Sequence, residues 1–459
     1  MSTERCAKFA TIAEIPIDVR TARVYEFGWQ SWTPSTAYSI NDLSFRASTP
    51  ARAVSGYRAN RPKPLAGFQG DGLLAIETDD SGPVTVFGAI DGRTEVPTIR
   101  ATVQDNNIVV ESDGAVEIQN FSGGFGNSLP SFAESYLERT ERPKLREIPS
   151  IWASWYQYFT RLTQADVHEN LDAMDDLDLD VGVVRLDDAF QAGIGDWLET
   201  SSEFGSLESL VGSVLDRNRI AGLWIAPLIV GAHSRIFEQH PEWTVRNPDG
   251  SPVVALHNWG QDCYALDTTH PGAQDYLARV FTAWHSYGAQ YFMVDFMFAG
   301  ALPGIRYDQE INPITAYREA VQRIRSNIGS SYLQGCGAPM FPSIGLFDTM
   351  RVAPDVDLTW AAAGNDLSRP GLRSAAVSTA GRAFTHGRFW VNDPDCFMVR
   401  PGIERRDDWA NIVEKFSGVR ISSDRLRDLD RWGLNRTRSL LQPATPTTLG
   451  NDDLFSHYP

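Results

Sequence analysis

Gln-Tyr-Phe-Met-Val-Asp (290–295) reads as a strand buried on both faces and ended by a carboxylate. Tyr291 to Val294 are apolar without alternation, the pattern of a parallel strand covered from two sides. A carboxylate is costly to desolvate, so Asp295 belongs at the strand's exit, where something pairs it or uses it. Downstream, Tyr317, Ala320, Val321 and Ile324 recur at helical spacing, and short apolar runs follow at 331–336, 348–353, 389–392 and 418–422. Upstream, runs at 151–156, 181–187 and 222–227 are separated by two further helical periods. One is Val167, Leu171, Met174 and Leu177; the other is Leu207, Leu210, Val214 and Leu215. Strands that alternate with amphipathic helices predict parallel βα units, and eight of them predict a (β/α)8 TIM barrel over 148–445. An open doubly wound sheet is the rival, but no glycine-rich phosphate turn follows any strand.

Residues 1–147 have another rhythm. Short alternating segments such as Val84-Thr-Val-Phe87 and Ile108-Val-Val110 lie between turn signals at Asp71-Gly72 and Asp91-Gly92. They predict an N-terminal antiparallel β-sandwich-like domain without a long amphipathic helix. The charged, proline-containing stretch 138–147 reads as the linker, and 446–459 as a C-terminal tail.

The composition excludes several classes of function. The 459 residues are 42% hydrophobic and 22% charged, which supports a large buried core and argues against disorder. A formal net charge of −17 opposes nucleic-acid binding and matches anionic membranes poorly. No run reaches the ~18 apolar residues of a membrane span, and the first residues lack a secretory pattern. Cys6, Cys263, Cys336 and Cys396 have no paired spacing, so free thiols and a cytoplasmic location are expected.

The chemistry concentrates at strand ends. Asp295 could attack an anomeric carbon or could cap the next helix. Asp355 follows a second apolar segment in Arg-Val-Ala-Pro-Asp (351–355), with Arg351 four residues before it and Asp357 as a rival carboxylate. Two carboxylates at a barrel mouth are what glycosidic cleavage needs. Asp187 and Asp188 follow Val-Gly-Val-Val-Arg-Leu (181–186) and could accept hydrogen bonds from two sugar hydroxyls; a helix cap or a metal is the alternative. A metal is disfavoured, since no His or Cys ligands at suitable spacing accompany them, and no organic cofactor is called for. Asp196-Trp197 reads as a loop anchor. Trp155, Tyr156 and Trp224 could wall a sugar or pack the core. His233, His257 and His386 form no defensible triad, and no nucleophile elbow follows a strand. The long 232–270 stretch after the third strand has the place of a substrate-site loop.

These residues, in this order, resemble the melibiase-type α-galactosidases of glycoside hydrolase family 36, from about Gly28 to Leu441. The segments that carry the likeness are Trp29-Gln-Ser-Trp32, Ser154-Trp-Tyr156, Leu186-Asp-Asp-Ala-Phe190 with Gly195-Asp-Trp197, Gly222-Leu-Trp-Ile-Ala-Pro227, Tyr291 to Gly300, Gly335-Cys-Gly-Ala-Pro339, Met350 to Asp355 and Phe389 to Cys396. The resemblance implies a retaining exo-α-glycosidase, with Asp295 as nucleophile and Asp355 as acid/base. It implies that Asp187 and Asp188 hold galactose hydroxyls, that Trp155, Tyr156, Trp224, Cys336 and Arg351 line the pocket, and that the N-terminal domain lends it Trp32. Asn392, Asp393 and Asp395 match a segment read as structural. The expected partner is a small oligosaccharide or α-galactoside, with no nucleic acid, membrane or cofactor; a homo-oligomer is left open. The pattern departs from the family at Met293, where a lysine is usual, and a thioether cannot donate to a sugar hydroxyl. A related glycosidase with another sugar preference, or a carbohydrate-binding barrel without activity, are the alternatives. The N-terminal β-domain is expected to be short, and the C-terminal β-domain of the family largely missing.

Overall fold

The computed structural model describes residues 8–80, 82–202, 204–443 and Asp453. Cys6 and nearly all of the 446–459 tail lie outside them. Eight parallel strands form one curled sheet, and their order around it is their order in the chain. They are Ile151–Ala153, Val183–Leu186, Ile220–Ile225, Ala289–Val294, Tyr332–Gly335, Thr349–Arg351, Val391–Asp393 and Ile421–Ser422. The last pairs with the first through Ile151 and Trp152. Between the seventh and eighth, the Gly418 and Val419 amides donate to the Asn392 carbonyl at 3.0 and 3.2 Å in place of a ladder. This is the TIM-barrel architecture that the apolar runs foretell. The helices bury the stripes read from the sequence. Gln164–Asp176 turns in Val167, Leu171 and Met174, and starts with a capping box between Thr163 and Asp166.

Residues 10–121 form two antiparallel sheets, of four and five strands. Between them lies a core that includes Val24, Leu74, Ile76, Phe87, Ile99 and Val110. A helix, Gly124–Arg139, follows where none is expected. Its glycines, serines and internal Pro130 argue against a helix, but one face buries Phe125, Leu129, Phe132 and Tyr136. Packing decides here. Tyr136 meets Phe341 and Phe389 of the barrel at ring distances of 5.6 and 5.8 Å, so the helix is wedged between the domains.

One cation ties the two parts. The buried Arg382 guanidinium donates to the carbonyls of Gln30, Thr33 and Val352 at 2.6–2.8 Å. At the adjacent Gly381, an added Cβ would lie 1.7 Å from the Ser35 carbonyl oxygen, so the backbones meet there only because the side chain is absent. This join brings Trp32 to the barrel mouth.

Candidate active site

The residues singled out in the sequence come from strand ends and gather at the C-terminal face of the barrel. Asp295 directly follows the fourth strand, and its amide donates to the Ile225 carbonyl at 2.8 Å. Its Oδ1 accepts from the Phe296 amide at 2.6 Å and its Oδ2 from the Trp224 indole at 3.2 Å. Burial pushes this carboxyl up to about 6, and the charge of Asp355 adds to the rise; donors on Cys336, Phe296 and Trp224 oppose it. Burial, with the Asp295 charge behind it, keeps the Cys336 thiol protonated and able to donate.

Asp355 stands past the sixth strand with its side chain 37% exposed, the open side of the pair. Arg351 Nη1 lies 3.0 Å from its Oδ1. The same guanidinium reaches Asp393 at 3.3 Å and Asp395 at 2.7 Å, so one cation serves three carboxylates. The rival Asp357 is exposed and accepts the Leu358 amide at 2.7 Å within its own loop.

Asp187 and Asp188 are both buried. Burial raises Asp187, and Arg185 opposes that rise across 3.3 Å. Burial also raises Asp188, against donation from Gln191 and from the Trp259 indole at 2.7 Å, with the Asp295 charge adding to the rise. The four carboxylates therefore share one electrostatic neighbourhood. Asp196 instead accepts the Arg235 and Ile236 amides at 3.0 Å each, anchoring a loop.

Aromatic rings enclose the mouth. Trp32 packs against Phe296 at 5.2 Å and Phe298 at 6.1 Å. Trp224 lies between Trp197 and Trp259 at 5.9 and 6.5 Å. Trp155 is partly buried against Phe159, and Tyr156 turns its hydroxyl to donate to Asp395. The three histidines are scattered: His257 contacts Asp262 at 3.0 Å, and burial lowers His386 to about 4. Among the described residues, no group of three His, Cys, Asp or Glu side chains could hold a metal ion. No helix among them is long and apolar enough to cross a membrane. Cys263, Cys336 and Cys396 are free and buried.

Two members escape a reading of the sequence. Trp259 belongs to the long 226–270 excursion, which folds into a three-stranded antiparallel sheet and returns the indole to Asp188. Arg185 is a fully buried guanidinium inside the barrel, bonded to Gln334 Oε1 at 2.9 Å; Tyr291 donates to the same oxygen at 2.7 Å. Gly222 makes the room: a Cβ there would lie 3.3 Å from the Cβ atoms of Arg185 and Tyr291. The lone charge in Val-Gly-Val-Val-Arg-Leu (181–186) was the available signal. Met293 pairs in register with Trp224 and Gln334, and by strand alternation faces inward with Asp295.

Comparison with known proteins agrees with this geometry. The Melibiase family description matches residues 132–296, which include the first four strands, Asp187, Asp188 and Asp295. The barrel and the β-domain superpose on an α-galactosidase of Thermus thermophilus in complex with p-nitrophenyl α-D-galactopyranoside. That match has a TM-score of 0.80 and 26% identity, over 95% of this chain and 90% of the other. A family 36 α-galactosidase, AgaA of Geobacillus stearothermophilus, shares the fold at a TM-score of 0.64 and 14% identity, over 94% of this chain and 61% of the other. Alpha-galactosidase 2 of Pediococcus pentosaceus is 24% identical over 148 residues, 30% of this chain. That aligned stretch spans 20% of the relative's length.

Proposed function

We propose that the protein is a retaining, exo-acting glycoside hydrolase that removes terminal α-galactosyl residues. The observation that carries this reading is the pairing of Asp295, enclosed and raised to about 6, with the half-open Asp355. At neutral pH, Asp295 is ionised and attacks the anomeric carbon. The bond from that carbon to the leaving oxygen breaks as Asp355 gives the oxygen its proton. A glycosyl ester on Asp295 results. Asp355, now a carboxylate, takes a proton from water, which attacks the same carbon and frees Asp295. Asp187 and Asp188 accept hydrogen bonds from sugar hydroxyls, and Trp32, Trp155 and Trp224 offer apolar faces to the ring. Relatives of similar fold are α-galactosidases, one of them in complex with stachyose, which supports an α-galactoside as substrate.

Met293 favours a second reading, the same device with another preferred sugar, because it puts a thioether beside the nucleophile. A panel of p-nitrophenyl α-galactoside, α-N-acetylgalactosaminide, α-glucoside and β-L-arabinopyranoside decides between them. The first reading expects galactoside preference and α-galactose as first product by NMR. Preference for another glycoside selects the second reading, and binding without turnover of any glycoside rejects both.

A further inference from the structure

Asp355 stands past three residues of irregular backbone, where the Val352 amide donates to the Asp393 carbonyl at 2.8 Å and the Asp355 carbonyl accepts the Gly371 amide at 3.0 Å; these bonds fix the backbone and leave the carboxyl to be aimed by other groups. Asp395, on the loop after the seventh strand, adds restraint from two directions. Its Oδ1 lies 2.7 Å from Nη2 of Arg351, whose Nη1 is 3.0 Å from Asp355. Its Oδ2 accepts the amide of Val356, the residue after Asp355, at 2.9 Å. The remaining lone pairs are filled by the Cys396 amide at 2.7 Å and the Tyr156 hydroxyl. The arrangement is held against resistance. Asp395 adopts φ +94, which side chains other than glycine rarely take, and its side chain is wholly buried.

We infer that Asp395 is the positioning residue of the acid/base, holding Asp355 through Arg351 on one side and through the Val356 amide on the other. The inference rests on the reading of Asp355 as acid/base. Asp395 does more than staple two loops together, because it also draws on the Arg351 charge. Without the Asp395 carboxylate, Arg351 loses the partner that fixes its Nη2, the Val356 amide loses its acceptor, and the aim of Asp355 at the leaving oxygen is lost. Burial raises the Asp395 carboxyl, and the Arg351 charge opposes that rise.

The test is a series of aryl α-galactosides of graded leaving-group acidity, hydrolysed by wild type, Asp395→Asn, Asp355→Ala and the double variant. Asp395→Asn should lose about tenfold more kcat/KM on the poorest leaving group than on the most activated one. The double variant should fall within about twofold of Asp355→Ala alone, since a residue acting through Asp355 has nothing left to act on. Arg351→Lys, which keeps the charge but cannot fork to both carboxylates, should repeat the leaving-group pattern. Equal losses across the series, or losses that multiply with those of Asp355→Ala, overturn the inference. So does failure of both Asp395→Asn and Arg351→Lys to fold, which would make the cluster structural. If Asp355→Ala itself shows no leaving-group dependence, the acid/base reading fails and this inference with it; a dependence seen there but absent in Asp395→Asn defeats the inference alone.

Discussion

Asp295→Asn puts the energetics and the chemistry of the site to one test. Burial, and then the charge of Asp355, raise this carboxyl from 3.8 to about 6 in the folded chain. Between those values the native state holds a proton that the unfolded chain has released. Stability is therefore greatest below the lower value and is lost as pH rises through the upper one. A rise of about two units corresponds to about 3 kcal/mol. The amide is uncharged and removes this deficit. It also has one acceptor oxygen where the carboxylate has two, facing the Phe296 amide and the Trp224 indole. Leaving one donor unmatched returns about 1 kcal/mol or more. The expected net gain is about 1–2 kcal/mol at pH 7.5, turning to a small loss at pH 4. Turnover of p-nitrophenyl α-galactoside should vanish in the variant. In wild type, kcat/KM should fall about tenfold per unit below pH 6, as ionised Asp295 is titrated away. Denaturant unfolding at both pH values and a wild-type rate profile are the assays. A variant less stable than wild type at pH 7.5, or a wild-type acid limb near 4, would refute the reasoning.

Three other variants probe the supports of the site. Arg185→Met strands the buried Asp187 carboxylate, so stability should fall by about 3–5 kcal/mol and KM should rise; an unchanged thermal melt would deny the pairing. Trp259→Phe keeps the ring but removes the indole donor to Asp188, so kcat/KM should drop about tenfold with the melt nearly unchanged. Arg382→Met leaves the buried carbonyls of Thr33 and Val352 without their donor, at about 1–3 kcal/mol each, while the Gln30 carbonyl keeps the Thr33 amide at 3.0 Å; limited proteolysis should then cut near 140–150 faster.

What the sequence discloses and what it hides divide along a physical line. The eight barrel strands are legible because burial on both faces favours short, mostly apolar runs, and every such run read from the chain overlaps a strand. The carboxylates at their ends are legible because a charge beside such a run calls for an explanation. The Gly124–Arg139 helix is hidden because its stability comes from aromatic contacts with residues more than two hundred positions away, against its own propensity. Trp259 is hidden in a loop whose return to Asp188 only the folded hairpin produces.

Arg185 escapes the sequence and Asp395 is read there as structural for another reason, which bears on how the site works. Each breaks a local rule, a cation inside an apolar strand and a positive φ at a residue with a side chain. Each also serves a carboxylate of the pocket, Arg185 by its ion pair with Asp187 and Asp395 through Arg351, which reaches Asp355. Local violations tied to functional groups are what a preorganised site requires, since the strain is borne in folding rather than during the reaction. If both residues serve that end, Arg185→Met should act mainly on KM, because the role proposed for Asp187 is to hold the ground-state sugar. Asp395→Asn should act mainly on kcat for poor leaving groups, because the role proposed for Asp355 lies in the transition state. Variants that moved both parameters alike would show that the two residues only hold the barrel together.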